Sequence, residues 1–220
     1  MKDATHIAVL LDRSGSMGAV KDETISGFNY FLQEQKAAGD NASFTLVQFD
    51  SESTDVVHEA RPVRDVPDLN QDTYQPRGST PLLDALGSTI SSTGKTLAAI
   101  PEANRPNKVV FVIITDGEEN ASHKFTKNQV KEMIDHQTEK YNWQFIFLGA
   151  NQDAFAEAGA VGIAMAQAAN YAPAHTRMAF RGTSANVANY RRTGMAASLE
   201  YSDEQRERMV HGDGDEEEKA

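Results

Sequence analysis

Two short apolar runs that end abruptly in polar residues constrain the fold of this chain most strongly. Residues 7–11 are all apolar and are followed by Asp12, and residues 109–114 are all apolar and are followed by Thr115 and Asp116. Runs of this length and apolarity are typical of strands that are buried on both faces of a parallel sheet. The polar residues then lie just beyond the carboxyl ends of the strands, where open α/β sheets bind their ligands.

The segments between the apolar runs have apolar residues at helical spacing, so strands alternate with helices along the chain. This alternation predicts a parallel sheet with helices on both faces. We therefore predict an α/β fold, a doubly wound and mostly parallel Rossmann-like sheet, with residues 56–58 as an antiparallel edge strand. The other predicted helices and strands are helices at residues 21–38, after Pro81, behind Thr126, at 153–158 and at 176–193, and strands at 44–49, 144–149 and 167–171.

Length and charge set the predicted domain organisation. A chain of 220 residues is long enough for one domain with a full hydrophobic core. The formal net charge is −11, and residues 200–220 contain nine acidic and three basic side chains. We predict a domain over residues 1–200 and an acidic, disordered tail over residues 201–220. The negative charge argues against nonspecific binding of nucleic acid, which depends on neutralising phosphates.

The sequence also bears on location. The chain contains no cysteine, which excludes a disulfide framework and a thiolate metal site. It begins without a signal-peptide pattern, and no apolar segment approaches the length of a membrane span. We therefore expect a soluble cytoplasmic protein that does not bind membranes.

Oxygen-bearing side chains alternate along the segment that follows the first predicted strand. Asp12, Ser14 and Ser16 can direct their oxygens to one point in an extended turn. Thr80 and Asp116 also lie at the ends of predicted elements. Two carboxylates and three hydroxyls suit a hard cation such as Mg²⁺ and leave a coordination position open. The alternative is that Asp and Ser after strands only cap helices and bond to turn amides.

The combined motifs resemble the metal-ion-dependent adhesion site (MIDAS) of the von Willebrand factor A (vWA) domain family. The motifs are Asp12-x-Ser14-x-Ser16, Thr80 in the stretch from Gly78 to Leu82, and Thr115-Asp116-Gly117. The resemblance covers roughly residues 5–193 and implies the Rossmann-like fold of that family. The chain is most similar to the small stand-alone A domains of bacteria and their phages.

The resemblance implies a role for each residue of the motifs. Ser14 and Ser16 would bind the ion directly, and Asp12 would bind it through water while holding both serines. Thr80 would bind directly in the open, ligand-engaged state, and Asp116 directly or through water. The ion, Mg²⁺ or Mn²⁺, would accept an Asp or Glu carboxylate of a protein partner at its free position. The implied function is a metal-dependent protein-binding module, a scaffold or adaptor rather than an enzyme.

Two other functions stay open at this point. A Mg²⁺-dependent phosphohydrolase or phosphotransferase on a similar fold would need an acidic residue two positions after an Asp12 nucleophile. Ser14 occupies that position, and Lys108 lies at the amino end of its predicted strand, away from the other site residues. The third hypothesis is an assembly element whose metal site is filled by a neighbouring molecule or from within the chain, by Asp215 or a nearby Glu of the acidic tail.

Five further charged residues lie near the motifs in sequence or are expected near them in the fold. Asp84, one helical turn after the threonine of the motif, is either a support for that threonine or an exposed helix residue. Glu118 and Glu119 either belong to a solvated loop or steer a partner. We expect Arg13 to point away from the ion or to meet a partner. Asp50 is expected near the same edge of the sheet without being a ligand.

Overall fold

The computed structural model describes residues 3–150 and 153–213, and a six-stranded sheet lies at its centre. The strands are β1 (Thr5–Asp12), β2 (Ala42–Phe49), β3 (Thr54–Pro62), β4 (Lys108–Thr115), β5 (Gln144–Ala150) and β6 (Ala168–Tyr171). Their order across the sheet is β3-β2-β1-β4-β5-β6. The earliest strand of the chain is thus near the middle of the sheet, and its carboxyl end lies between those of β2 and β4.

The sheet is parallel except at one edge. β1 pairs in parallel with β2 and β4, and β5 pairs in parallel with β4 and β6. β3 is antiparallel to β2 and has no other partner in the sheet. These pairings confirm the predicted α/β class with one antiparallel edge strand. β3 is longer than the three residues predicted for it, because its pairing with β2 continues to Pro62 through two register irregularities.

Helices cover both faces of this sheet. They are α1 (Lys21–Ala37), α2 (Leu82–Ala98), α3 (Lys127–Tyr141), α4 (Ala154–Ala160), α5 (Thr176–Thr193) and α6 (Asp203–His211). No helix in this described part of the chain combines the length and apolarity needed to cross a membrane.

The side chains of β1 supply both halves of the hydrophobic core. Ile7 and Val9 pack into the cluster that also contains buried residues of α1, α5 and α6. Ala8 and Leu10 point to the opposite face, where α2, α3 and α4 contribute the other cluster. Because successive side chains of a strand alternate between faces, a run that is apolar throughout must be buried on both of them.

Local signals account for both ends of α3 and for the C-terminal end of α5. Thr126 accepts a hydrogen bond from the Gln129 amide, and the Gln129 side chain accepts one from the Thr126 amide, which forms a capping box at the start of α3. The same helix ends at Asn142, with φ of 55°, and α5 ends at Gly194, with φ of 69°. Both residue types tolerate the left-handed conformation that closes a helix.

The C-terminal segment differs from the predicted boundary at residue 200. α6 packs Met209 into the core, where that residue is 1% exposed. Tyr201 is also buried, and its hydroxyl lies 2.7 Å from the hydroxyl of Thr183 in α5. The acidic side chains of α6 all face solvent. The acidic composition of this segment led to the prediction of disorder, whereas the structure shows a helix that packs on the domain. Residues 214–220 of the predicted tail lie outside the described residues.

Met209→Ala tests whether α6 is part of the domain. Removal of this side chain should lower the free energy of unfolding by about 2–4 kcal/mol, because it leaves a cavity against Gly182 of α5. The next residue, Val210, is 37% exposed, and Val210→Ala should change the free energy by less than about 0.5 kcal/mol. Urea unfolding measures both variants, and equal effects would contradict the docking of α6.

Candidate functional site

The carboxyl ends of β1 and β4 meet at one edge of the sheet. Leu11 pairs with Ile114 in the parallel register. The residues that follow, Asp12 and Thr115, therefore lie side by side. Asp12 is fully buried, and one of its carboxylate oxygens accepts a hydrogen bond from the Thr115 hydroxyl, with 2.6 Å between the two oxygens. The other oxygen accepts a hydrogen bond from the Ser14 amide at 2.6 Å. The sheet register and the turn after β1 together fix this carboxylate.

Two serines and the second aspartate form a chain of short contacts beside Asp12. The hydroxyl oxygens of Ser14 and Ser16 are 3.1 Å apart, and the Ser16 hydroxyl donates to Asp116 Oδ1 at 2.6 Å. A short 3₁₀ helix at Gly15–Val20 carries Ser16, and its Met17 is fully buried in the core. This anchor holds the polar loop against the end of the sheet.

Thr80 reaches the same place from a separate loop. A Cβ on Gly117 would lie 2.6 Å from Thr80 Oγ1 and 3.6 Å from Ser16 Oγ, so a side chain at position 117 would displace the threonine hydroxyl. The Thr80 amide donates to Asn120 Oδ1 at 3.0 Å, and the Asn120 amide donates to the Thr80 carbonyl at 3.2 Å. The structure thus brings together all five residues of the predicted site. Sequence reasoning missed these two hydrogen bonds between Thr80 and Asn120.

Backbone hydrogen bonds tie the Thr80 loop to the loop after β1. The Arg77 amide donates to the Arg13 carbonyl at 2.7 Å, and the Gly15 amide donates to the Gly78 carbonyl at 3.0 Å. Gly78 has φ of 66°, and a Cβ there would lie 2.5 Å from the hydroxyl of Ser51. Glycine at this position is therefore required both by the backbone conformation and by the close approach of the β2–β3 turn.

The negative charge of the two site carboxylates is not balanced by a basic side chain of the described residues. Neither Asp12 nor Asp116 forms an ion pair with a Lys, Arg or His among residues 3–150 and 153–213. Burial raises the pKa of Asp12 to about 6, although hydrogen bonds from Thr115 and Ser14 oppose the shift. Burial also raises the pKa of Asp116 above its usual value, against the hydrogen bond from Ser16. A cation placed here would stabilise both ionised carboxylates.

The donor set at this edge of the sheet is entirely oxygen. It consists of two carboxylates and three hydroxyls, which is the chemistry that Mg²⁺ and Mn²⁺ prefer over softer ions. The described residues contain no group of three or more His, Cys, Asp or Glu side chains arranged to hold a metal ion. A cation at this site would therefore depend on the hydroxyls as well as on the carboxylates.

The residues relevant to phosphoryl chemistry lie elsewhere or are of the wrong type. Ser14, two positions after Asp12, contacts Ser16 through its hydroxyl and has no acidic group to donate a proton. Lys108 lies at the amino end of β4, where its Nζ is 2.5 Å from the Asp3 carboxylate. No observation in the described structure favours the phosphohydrolase hypothesis over metal binding by the same residues.

The neighbouring acidic residues stabilise the loops around the site. The Asp84 carboxylate accepts hydrogen bonds from the amides of residues 123–125 at 2.8 to 2.9 Å and so fixes the loop before α3. Glu119 accepts the Leu83 amide at 2.8 Å, in the first turn of α2, and also binds the amide and hydroxyl of Ser122. Glu118 is exposed. Asp84 and Glu119 are thus structural groups of the site loops.

Asp50 is the centre of an ion cluster that sequence reasoning missed. It is 1% exposed, and its Oδ2 accepts hydrogen bonds from Arg13 Nε at 2.5 Å and Arg77 Nε at 3.0 Å. Its Oδ1 accepts the amides of Glu52 and Ser53. Burial opposes ionisation here, but these hydrogen bonds outweigh it and lower the pKa of Asp50. As expected, Asp50 lies near the same edge of the sheet, and Arg13 points away from the site.

A known protein family matches most of this chain in sequence. The sequence profile described as the von Willebrand factor type A domain matches residues 6–186. The chain belongs to this family. Its members are mostly adhesion or protein-binding modules, and the vWA region of this chain contains every residue of the candidate site. No curated protein matches the chain in sequence.

Solved structures share the vWA fold at low sequence identity. Proximal thread matrix protein 1 from the mussel byssus has a TM-score of 0.59 and 13% identity, over 81% of this chain and 46% of its own. The same protein with a zinc-occupied MIDAS motif has a TM-score of 0.57, 15% identity and the same coverage. A von Willebrand factor type A protein from Catenulispora acidiphila has 0.54 and 15%, over 90% and 43%. This chain thus spans less than half of each solved chain.

Asp12→Asn should stabilise the vWA domain when divalent cations are removed. Folding raises the pKa of Asp12 from 3.8 to about 6, so the folded state binds the extra proton. Its contribution to stability therefore falls as pH rises through that interval, and the ionised group costs about 3 kcal/mol above it. The amide can accept from Ser14 and donate to the Thr115 oxygen, which still donates to the Gly117 carbonyl.

Urea unfolding with a chelator, at several pH values, measures this effect. The variant should be more stable than the wild type above about pH 7 and equal to it near about pH 3, where Asp12 is neutral in both the folded and the unfolded state. A variant that is less stable than the wild type at alkaline pH would contradict the raised pKa of Asp12.

Asp50→Ala should destabilise the domain by about 3 kcal/mol or more, because it leaves the nearly buried Arg13 without its closest carboxylate. Asp55 provides the matched control, since it pairs with the same guanidinium but its side chain is 49% exposed. Asp55→Ala should cost less than about 1 kcal/mol. Thermal and urea unfolding measure both variants. A larger loss in the Asp55 variant would show that the buried pair is not the one that matters.

Proposed function

We propose that this chain is a Mg²⁺-dependent protein-binding module, a scaffold or adaptor rather than an enzyme. The observation that carries the proposal is the convergence of two carboxylates and three hydroxyls, without a paired basic side chain, at the carboxyl edge of the sheet. Such a site has an excess of negative charge and too few protein oxygens to fill an octahedral shell. An oxygen from a partner completes it.

The hydrogen bonds of the site support a different role for each residue. Both oxygens of Asp12 already accept hydrogen bonds, so this residue is suited to hold Ser14 in place and to bind the ion through water. The Ser16 hydroxyl donates a hydrogen bond to Asp116, which leaves the lone pairs of the Ser16 oxygen available to a cation. Ser14, Ser16 and Thr80 would hold the ion through their hydroxyls, and Asp116 directly or through water.

The ion would supply an electrophilic position for a carboxylate of the partner. An Asp or Glu side chain both restores charge balance there and gains a bond to the metal. A neutral group gains the bond to the metal but leaves the charge unbalanced. The protein-interaction role of the family supports a protein as the source of that carboxylate. The zinc-occupied MIDAS motif of the mussel protein shows that a site of this name accepts zinc in that protein. The oxygen-only donor set of this chain favours Mg²⁺ or Mn²⁺.

Calorimetric titration of metal-depleted protein with Mg²⁺, Mn²⁺ and Zn²⁺ tests the metal site. Mg²⁺ should bind with one ion per chain, and the melting temperature should rise with the logarithm of the Mg²⁺ concentration above the dissociation constant. Asp12→Asn should lose at least about tenfold in affinity, because one of two carboxylates no longer contributes charge. Asp84→Asn is the matched control, since its carboxylate binds loop amides at the same edge, and it should leave the affinity unchanged.

The partner-binding role has a separate test. The Mg²⁺-loaded protein should bind acetate or an acidic peptide at its open position, and it should capture a protein that a chelator releases. Neither Asp12→Asn nor the partner with its carboxylate replaced by an amide should form the complex. Capture that survives chelation would contradict this role even if Mg²⁺ binds.

The cytoplasmic location and the bacterial or phage origin stay predictions.

A further inference from the structure

A cavity of about 580 Å³ lies between α2 and α3, at the amino end of the sheet. This volume is in the range of small-molecule sites, roughly 300–1,000 Å³. Val109 of β4 and Trp143, directly before β5, form its floor, and Ile90 of α2 and Met133 of α3 form its walls. The candidate metal site is at the other end of α2, which begins two residues after Thr80. The cavity therefore belongs to a different surface of the domain.

The shape of the cavity follows from two glycines of α2. At Gly87 the helix has no side chain, and the ring of Phe125 lies 2.7 Å from the place of a Cβ, so α2 and the start of α3 are in close contact. At Gly94 a Cβ would meet only Trp143, at 4.0 Å. The gap between the two helices is therefore left open over Trp143, which stacks on Phe111 at 5.4 Å between ring centroids.

Basic side chains line this cavity and acidic ones do not. Lys95, Arg105 and His136 are among the lining residues, and no Asp or Glu is, although the whole chain has a net charge of −11. Within the described residues, neither Lys95 nor Arg105 forms an ion pair with a carboxylate. Arg105 Nη2 donates to the carbonyls of Ala98 and Ile100 at 3.2 and 3.0 Å, which fixes the guanidinium at the end of α2.

We propose that this cavity binds a small organic carboxylate with an apolar chain or ring. The apolar part packs on Trp143, Ile90 and Met133, and the carboxylate faces the ammonium of Lys95 and the guanidinium of Arg105. A neutral apolar ligand leaves both cations unpaired, and an inorganic anion leaves the apolar floor in water. Only a ligand with both parts matches the two features of the lining. The proposal is independent of the metal site.

Octanoate is a suitable probe, because Trp143 is the single tryptophan of the chain and its fluorescence reports this cavity alone. Octanoate should change the Trp143 emission in a saturable way. 1-Octanol has the same chain without the charge and should bind about tenfold more weakly, since it loses a charge-assisted hydrogen bond. Absence of a saturable response to octanoate would overturn the proposal, and equal affinity for octanol would overturn the preference for a carboxylate.

Two variants place the ligand in the cavity. Gly94→Leu fills the space above Trp143 and replaces a helical glycine by a better helix former, so calorimetry should show loss of octanoate binding with unchanged or higher stability. Lys95→Gln should weaken octanoate by about tenfold and leave octanol unaffected. Lys127→Gln, on α3 but paired with Glu157 outside the cavity, is the control. Full octanoate binding by Gly94→Leu would overturn the proposal.

Discussion

The buried carboxylate of Asp12 is the constraint on which the carboxyl edge of the sheet depends. Its charge is almost out of reach of water, and hydrogen bonds from the Ser14 amide and the Thr115 hydroxyl stabilise it. Those two bonds join three separate features: the end of β1, the turn that carries the serines, and the end of β4. The position of the serine turn relative to the end of β4 is therefore fixed by this carboxylate and by the register of the two parallel strands.

Asp50 shows what the same fold does with a buried carboxylate whose charge is balanced. Both Asp12 and Asp50 lie next to strand ends at the same edge, and both are almost fully buried. Two guanidiniums face Asp50 and its pKa is lowered, whereas no basic side chain of the described chain faces Asp12 and its pKa is raised. The domain thus neutralises one carboxylate internally and leaves the other without a basic partner among the described residues, which is the basis for proposing a metal there.

The features that the sequence predicted all depend on short stretches of chain, such as apolar runs, apolar residues at helical spacing and polar residues directly after strands. The features it missed depend on pairs that are far apart along the chain. Arg13 reaches Asp50 across 37 residues, and Asn120 clamps Thr80 across 40. Each of these residues is unremarkable within its own segment, so only the folded backbone identifies the pairs. α6 was missed because its composition is acidic and Met209 is its one buried residue.

Glu119 affects the electrostatics of the site without contacting any of its five residues. α2 begins beside Thr80. The N-terminus of a helix carries a partial positive charge, which would repel a cation bound by the threonine. The Glu119 carboxylate accepts the Leu83 amide in that first turn and so offsets the positive end of the helix. The same carboxylate fixes residues 121 and 122 of the loop after β4 through their amides. One side chain thus protects the site from the field of the helix and holds the loop that carries Asn120 against Thr80.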